Sequence, residues 1–186
     1  MAGFTKKAIR EAFIQLLNDR PLNQITVKDV VETCGVNRNT FYYYYQDIPQ
    51  LLQTVVDEEF ERIVRENQTI GSAEECLNAA IDFALRNRRA ALHIFRSVNR
   101  DLLEKHLLHI CRHVMTVYFD EILRERKVSD TDRLLMVEST ACTCFGFIIA
   151  WMENGMAEDI QARFRRLCEI KQGEIQRMIS RCDETA

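Results

Sequence analysis

ITVKDVVETCGVNRNTFYYYYQDIPQLL, residues 25–52, carries three helix starts in close succession. Thr26 stands where an N-cap belongs, and Asp29, three residues on, is placed to return its hydrogen bond as a variant capping box. Gly35 ends that helix, because glycine meets no Cβ penalty in a left-handed turn. Asn37 caps a second short helix, Arg38 to about Tyr44. Asp47 caps a third, with Gln50 at the capping-box position and Pro49 tolerated in the first turn. Two short helices joined by a tight glycine-containing turn make a helix-turn-helix. Val30, Val31, Val36 and Phe41 are the apolar positions that lock the pair. On geometry alone, a helical hairpin with no nucleic-acid partner reads the same way.

Upstream, Phe4, Ala8, Ala12, Phe13, Leu16 and Leu17 recur at helical spacing, which predicts a helix from about Thr5, as its cap, to Asp19. Pro21 and Asn23 end it. Downstream, Ile48, Leu51, Leu52, Val55, Val56, Phe60, Ile63 and Val64 form the stripe of a long helix over about 48–66. Asn67 to Gly71 breaks the pattern. Further helices are expected at 73–88, 89–98, 101–126, 130–154 and 158–182, with Asp101, Ser129 and Glu158 near starts. No strand-like alternation, repeat or low-complexity tract is present. The expected fold is all-α. An N-terminal three-helix domain (1–47) precedes a helical regulatory and dimerisation domain (48–186).

Composition agrees. Only 6 glycines and 2 prolines occur in 186 residues, with 47% hydrophobic and 28% charged side chains, as in a folded helical domain. The longest apolar run, Phe145 to Met152, is too short to cross a bilayer. The N-terminus shows no signal-peptide stretch, so a cytoplasmic protein without a membrane partner is expected. The 7 cysteines are odd in number. Cys34, Cys76, Cys111 and Cys168 read as small buried hydrophobes. Cys142 and Cys144 form C-x-C, which points its thiols apart on a helix and chelates poorly. The net charge of −3 is not that of a general nucleic-acid binder. Residues 1–46, however, hold Lys6, Lys7, Arg10, Arg20, Lys28 and Arg38 against Glu11, Asp19, Asp29 and Glu32. A basic head on an acidic body fits local binding of a polyanion.

Residues 25–52 resemble the N-terminal DNA-binding domain of the TetR family of transcriptional regulators, and the spacing matches from Phe4 through Leu52. In that pattern a T-x-x-D-[IV] helix follows a first helix. A G-V turn, a recognition helix with T-[FL]-Y and an aromatic pair come next. FGFIIAWMENGM, residues 145–156, resembles a G-x-x-x-x-W-x-x-x-G element that some branches place on a helix near the subunit interface. Two departures stand out. Many members carry lysine where Ile48 stands, and many have histidine where Tyr44 stands.

Five aromatic residues in a row, Phe41 to Tyr45, cannot all face one core, because successive helical residues point about 100° apart. Phe41 and Tyr45, four apart, are expected to pack inward. With the resemblance, the remaining polar positions become a DNA surface. Arg38 and Asn39 open the recognition helix, where side chains reach base edges in the major groove. Arginine suits guanine, and asparagine suits adenine. Tyr43 is placed to stack on a thymine methyl. Tyr42 and Tyr44, with Thr40 alongside, are assigned to phosphates. Lys28 reaches a base or a phosphate, and Thr26 with its neighbouring amides suits a phosphate.

One short reading helix gives little specificity, so a homodimer on a palindromic double-stranded DNA operator is expected. Two apolar stripes are candidates for a four-helix interface, with intrachain core as the other reading. One holds Ile160, Phe164, Leu167, Cys168, Ile175, Met178 and Ile179. The other holds Met136, Thr140, Cys144, Phe147 and Trp151. The resemblance also implies a small-molecule effector in the body, with Phe83, Phe95, His109, His113 and Phe147 as candidate lining residues. His106, His109 and His113 share a helical face, yet no carboxylate or cysteine set accompanies them, and neither a metal nor a cofactor is expected. No nucleophile-elbow, phosphate-loop or paired-carboxylate motif points to an enzyme. The function expected is a ligand-responsive transcriptional regulator, of repressor type. The alternative is a non-DNA-binding adaptor or coregulator that keeps the fold and acts through protein contacts.

Overall fold

The computed structural model describes residues 2–66, 78, 81–170 and 173–183, and among these it is helical with no strand. The helices are α1 (Ala2–Asp19), α2 (Val27–Cys34), α3 (Arg38–Tyr44), α4 (Ile48–Glu66), α5 (Arg88–Phe95), α6 (Arg100–Ile122), α7 (Asp130–Glu153), α8 (Ile160–Ile170) and α9 (Glu174–Asp183). A short 3-10 turn, Leu22–Gln24, links α1 to α2. Residues 81–86 are also helical and lead into α5. The chain forms two compact units. One comprises Met1–Arg62 and Asp82–His106, the other Ile63–Ile81 and Leu107–Ala186.

In the first unit, the core is the stripe of α1 closed by α2, α3 and the start of α4. Phe13, Leu17, Val30, Phe41, Leu51 and Leu52 are all at most 1% exposed. The stripe on α4 is as its periodicity predicts, with Val55 and Val56 also buried. The stripe on α1 is shifted. Ile9 is fully buried, whereas Phe4 is exposed. The helix starts at Ala2, so Thr5 lies inside it rather than capping it. Nothing in Ala2-Gly3-Phe4 stops the helix before Thr5. Lys6 and Arg10 meet Glu58 at 2.6 and 2.7 Å, which ties α1 to α4.

In the second unit, Phe119, Leu123, Met136, Val137 and Ile179 form one buried cluster. Met136 and Ile179 therefore belong to intrachain core, as do Trp151, Ile160 and Phe164. These members of the two stripes already have partners inside the chain, so an interface would have to use other residues. The expected single helix over 158–182 is two helices. Gly173 has φ +81°, a left-handed residue just before α9. Glu158 lies near the start of α8 as expected, and its neighbour Asp159 caps the helix, its Oδ1 accepting from the Ala162 N–H at 3.0 Å. The helix expected to reach 126 ends at Ile122. Ser129 caps α7 as expected, accepting from the Asp132 N–H.

The tryptophan–glycine element closes α7. The Met156 N–H donates to the Trp151 carbonyl at 2.8 Å and the Gly155 N–H to that of Met152 at 2.9 Å. This is the Schellman pattern, with Gly155 left-handed and Met156 and Trp151 buried together. The indole N–H reaches the Glu158 carbonyl at 2.9 Å. By length and composition α7 is apolar enough to cross a bilayer, which the short unbroken run Phe145–Met152 had not suggested. Six of its residues are nevertheless buried. The break at 67–71, most of the helix expected at 73–88, Cys76, and the side chain of Cys168 lie outside the described residues. Cys111 is buried and Cys34 half-buried, while Cys142 is exposed on α7.

Candidate nucleic-acid interface

The first turn of α2 is a closed hydrogen-bonded box. The Asp29 N–H donates to Thr26 Oγ1 at 3.3 Å, and the Asp29 carboxylate accepts from the Thr26 N–H at 2.8 Å and from its hydroxyl at 2.6 Å. Arg20, just past α1, reaches the same carboxylate at 3.6 Å. The hydrogen bonds from Thr26, with lesser help from Arg20 and Lys28, hold the Asp29 carboxyl below the usual carboxylate range. Thr26 thus already gives its hydroxyl hydrogen to Asp29. What it leaves open at this helix start is the amides of Val27 and Lys28, which have no intrahelical acceptor. Lys28 lies 3.7 Å from Glu32, a solvent-exposed pair of the kind that contributes little and exchanges readily for a phosphate.

Gly35 ends α2 at φ +71°, and the chain turns into α3. Asn37 caps α3 by accepting from the Thr40 N–H at 2.8 Å and from its hydroxyl at 3.0 Å. Phe41 and Tyr45 face inward, 0% and 2% exposed, with ring centroids 5.8 Å apart. Tyr45 does so from an extended backbone after the last turn of α3, not from within the helix. The outward face holds Arg38 with Tyr42 and Asn39 with Tyr43, each pair one turn apart. Tyr42 is 54% exposed and Tyr43 80%. Tyr44 and Thr40 are half-buried along the edge, where the Tyr44 ring meets that of Tyr43 edge-on at 4.9 Å. The five aromatic residues therefore divide: two face the core, two face solvent, and one sits between.

Of the eight proposed DNA residues, Arg38, Asn39, Tyr42 and Tyr43 form one exposed face. Among the described residues Arg38 has no carboxylate partner. Thr26, Lys28 and Thr40 are engaged locally. At the lysine position of many TetR members, Ile48 is half-buried. The start of α4 is capped by Asp47, which accepts from the Gln50 N–H at 2.8 Å, while the Gln50 side chain accepts from the Gln46 N–H.

The five candidate effector residues fall in both units. Phe83 is half-buried and Phe95 buried in the first, where the Arg100 guanidinium sits 4.1 Å above the Phe95 ring. In the second, His109 is exposed, His113 half-buried, and Phe147 packs 5.8 Å from Phe164. A trough of about 460 Å³ at α8 and α9 is lined by Ile170, Glu174, Arg177, Met178 and Arg181, none of them among the five. Two histidines that sequence reading left without partners have them in the first unit. His93 Nδ1 lies 2.7 Å from the Leu17 carbonyl. His106 Nε2 lies 2.7 Å from Asp57, its ring stacked on Phe60.

Two features escaped sequence reading. Asn18 caps α5 from a distance, its Oδ1 accepting the Ala90 N–H at 3.3 Å while Asn87, the local cap residue, makes no such bond. The run Arg86-Asn87-Arg88-Arg89 sits at that same turn. Its three arginines in four residues were the available signal.

Residues 9–55 match the family model described as bacterial regulatory proteins, tetR family. Residues 71–173 match that of a transcriptional regulator C-terminal region of TetR type. The HTH-type dhaKLM operon transcriptional activator DhaS of Lactococcus lactis subsp. lactis (strain IL1403) is 33% identical over 63 residues, covering 34% of this chain and 34% of that protein. The HTH-type transcriptional regulator EthR of Mycobacterium tuberculosis (strain ATCC 25618 / H37Rv) is 43% identical over 42 residues, 23% of this chain and 19% of that protein. The matched stretches thus span 34% and 19% of these relatives' lengths. A solved structure described as the dihydroxyacetone kinase operon activator DhaS superposes with TM-score 0.79 at 18% identity, over 92% of this chain and 96% of that one, a likeness of fold.

Proposed function

The chain belongs to the TetR family of bacterial transcriptional regulators, and from that premise we propose that it is a sequence-specific DNA-binding regulator. It reads a palindromic operator as a homodimer and responds to a small-molecule effector. Residues 1–47 are the reading head, and residues 48–186 the regulatory and dimerising body. The observation that carries this reading is the outward face of α3. Arg38, Asn39, Tyr42 and Tyr43 stand exposed on a helix whose opposite side is locked by Phe41. Arg38 and Asn39 supply base-edge hydrogen bonds, and the amides at the start of α2 and the phenols supply phosphate contacts. Occupying an operator that overlaps a promoter represses it. Activation, the role stated for the Lactococcus relative, requires a further contact with the transcription machinery.

Effector control follows from differential affinity. A ligand that favours one spacing of the two heads shifts the dimer onto or off DNA by the ratio of its affinities for the two arrangements, and by no more than that. Phe83, Phe95, His109, His113 and Phe147 remain the proposed effector contacts. The protein works in the cytoplasm, where its DNA is.

Selection of bound fragments from the source genome, with Arg38→Ala as control, tests the reading. Enrichment of a palindrome that the variant no longer selects supports a dimeric base reader. The lost contact should cost about 1–3 kcal/mol at one base position. A folded protein that enriches nothing would turn the assignment to an adaptor working through protein contacts.

A further inference from the structure

The end of α1 and the residue just after it hold two neighbours in the first unit. On one side, Arg20 reaches Asp29 in the first turn of α2, which carries Thr26 and Lys28. On the other, Asn18 holds the start of α5. Its Nδ2 donates to Asn87 Oδ1 at 3.2 Å and to the Ile14 carbonyl at 3.0 Å, and its Oδ1 accepts from the Ala90 N–H at 3.3 Å. One turn further, His93 Nδ1 lies 2.7 Å from the Leu17 carbonyl. The turn at Asn87 is thus pinned to the end of α1 that also fixes the start of α2.

This pinned turn is strongly basic. Arg86, Arg88 and Arg89 are all exposed, and α5 has no acidic residue in its first turn. Arg88 and Arg89 occupy its first two positions, where a cation opposes the helix dipole and meets its neighbour's charge. Folding alone gives no reason to gather cations there. Asp82 and Asp101 are the nearest carboxylates in sequence, yet Arg86 and Arg89 make no ion pair among the described residues. Their guanidiniums remain available for an anion outside the chain, and a planar fork of donors suits phosphate oxygens.

We propose that Arg86 and Arg89 form a second phosphate-binding surface, engaging the duplex backbone beside the stretch read by α3. The proposal rests on the reading of the head as a DNA reader. It widens the footprint of each protomer beyond the helix-turn-helix and adds affinity without sequence information. It also adds cations beside a head whose α4 start carries Ile48 where many TetR members carry lysine.

The test uses the full chain and random-sequence duplex DNA, since phosphate contacts do not depend on sequence. Each neutralised phosphate contributes about 0.9 to the slope of log affinity against log salt. The R86Q/R89Q variant should lower that slope by about 2 per protomer and keep the wild-type base preference on selected fragments. R86K/R89K should keep most of the slope. An R86Q/R89Q slope equal to wild type would overturn the proposal, as would a lysine variant that loses as much as the glutamine variant. If Arg38→Ala loses base preference while R86Q/R89Q behaves as wild type, only this second surface fails. If the wild-type chain binds no duplex at all, the head reading fails and takes this inference with it.

Discussion

Tyr45 shows what a single residue can hide in an aromatic run. Its ring is 2% exposed and its hydroxyl is buried with no hydrogen-bond partner among the described residues. Burial, reinforced by the nearby Glu58 carboxylate, pushes the phenol from 10.0 up to about 12. The neutral phenol is the form that the fold favours. Its contribution to stability is therefore whole below the unfolded value of 10.0 and is lost as pH rises through about 12. Tyr45→Phe removes both the alkaline loss and an unsatisfied buried donor, so at neutral pH it should leave stability equal or raise it by about 1 kcal/mol. Urea denaturation at neutral and alkaline pH checks both statements. A variant destabilised at neutral pH by more than that would show that the hydroxyl has a partner. The inward direction of Phe41 and Tyr45 was legible from their four-residue spacing. That Tyr45 reaches the core from extended backbone was not, because the spacing does not say where α3 stops.

At the scale of elements, legibility followed the range of the interaction. The caps of α2, α3, α4 and α7 were readable because Thr26, Asn37, Asp47 and Ser129 each bond to a residue three positions away. The cap of α5 was not, since Asn18 comes from a distant part of the chain. Nor was the division of the last helix at Gly173, because a periodic stripe runs through a glycine without recording its φ of +81°. The α2 box makes its own prediction. If the Thr26 hydroxyl is the main cause of the depressed Asp29 carboxyl, Thr26→Val should raise the Asp29 titration midpoint toward the ordinary carboxylate value, as followed by carboxyl-carbon chemical shifts. The sign follows from the depression. The box stabilises the folded state above the ordinary carboxylate range and loses that contribution as pH falls through the lower folded value. The wild-type head should therefore lose stability in acid more steeply than the variant. An unmoved Asp29 midpoint would transfer the effect to Arg20 and the Thr26 amide.

At the scale of the whole molecule, α7 carries more apolar surface than its own unit covers. Met136, Val137, Ala141, Ile148, Trp151 and Met152 are buried, yet Leu134 and Leu135 remain 57% and 63% exposed. Farther along α7, Ser139, Cys142, Gly146 and Ala150 are exposed too, small residues at intervals of three and four. That surplus explains why α7 has the length and composition of a membrane span while forming part of a packed unit. It also moves the proposed dimer contact. Met136, Trp151, Ile160, Phe164 and Ile179 of the stripes read from sequence are buried by the chain itself, whereas the exposed leucines lie on a flank of α7 away from its Met136–Trp151 stripe. In a two-fold dimer each of these leucines is used twice. Burying one contributes roughly 1–2 kcal/mol, so Leu134→Glu with Leu135→Glu should raise the dimer dissociation constant by roughly two orders of magnitude or more. Sedimentation equilibrium measures it directly. The monomer so formed should bind a single half-site as wild type does and lose its preference for the palindrome. A double variant that stays dimeric at the wild-type dissociation constant would exclude this flank of α7 from the interface, leaving Ile170 on α8, 68% exposed, as the next apolar surface to charge.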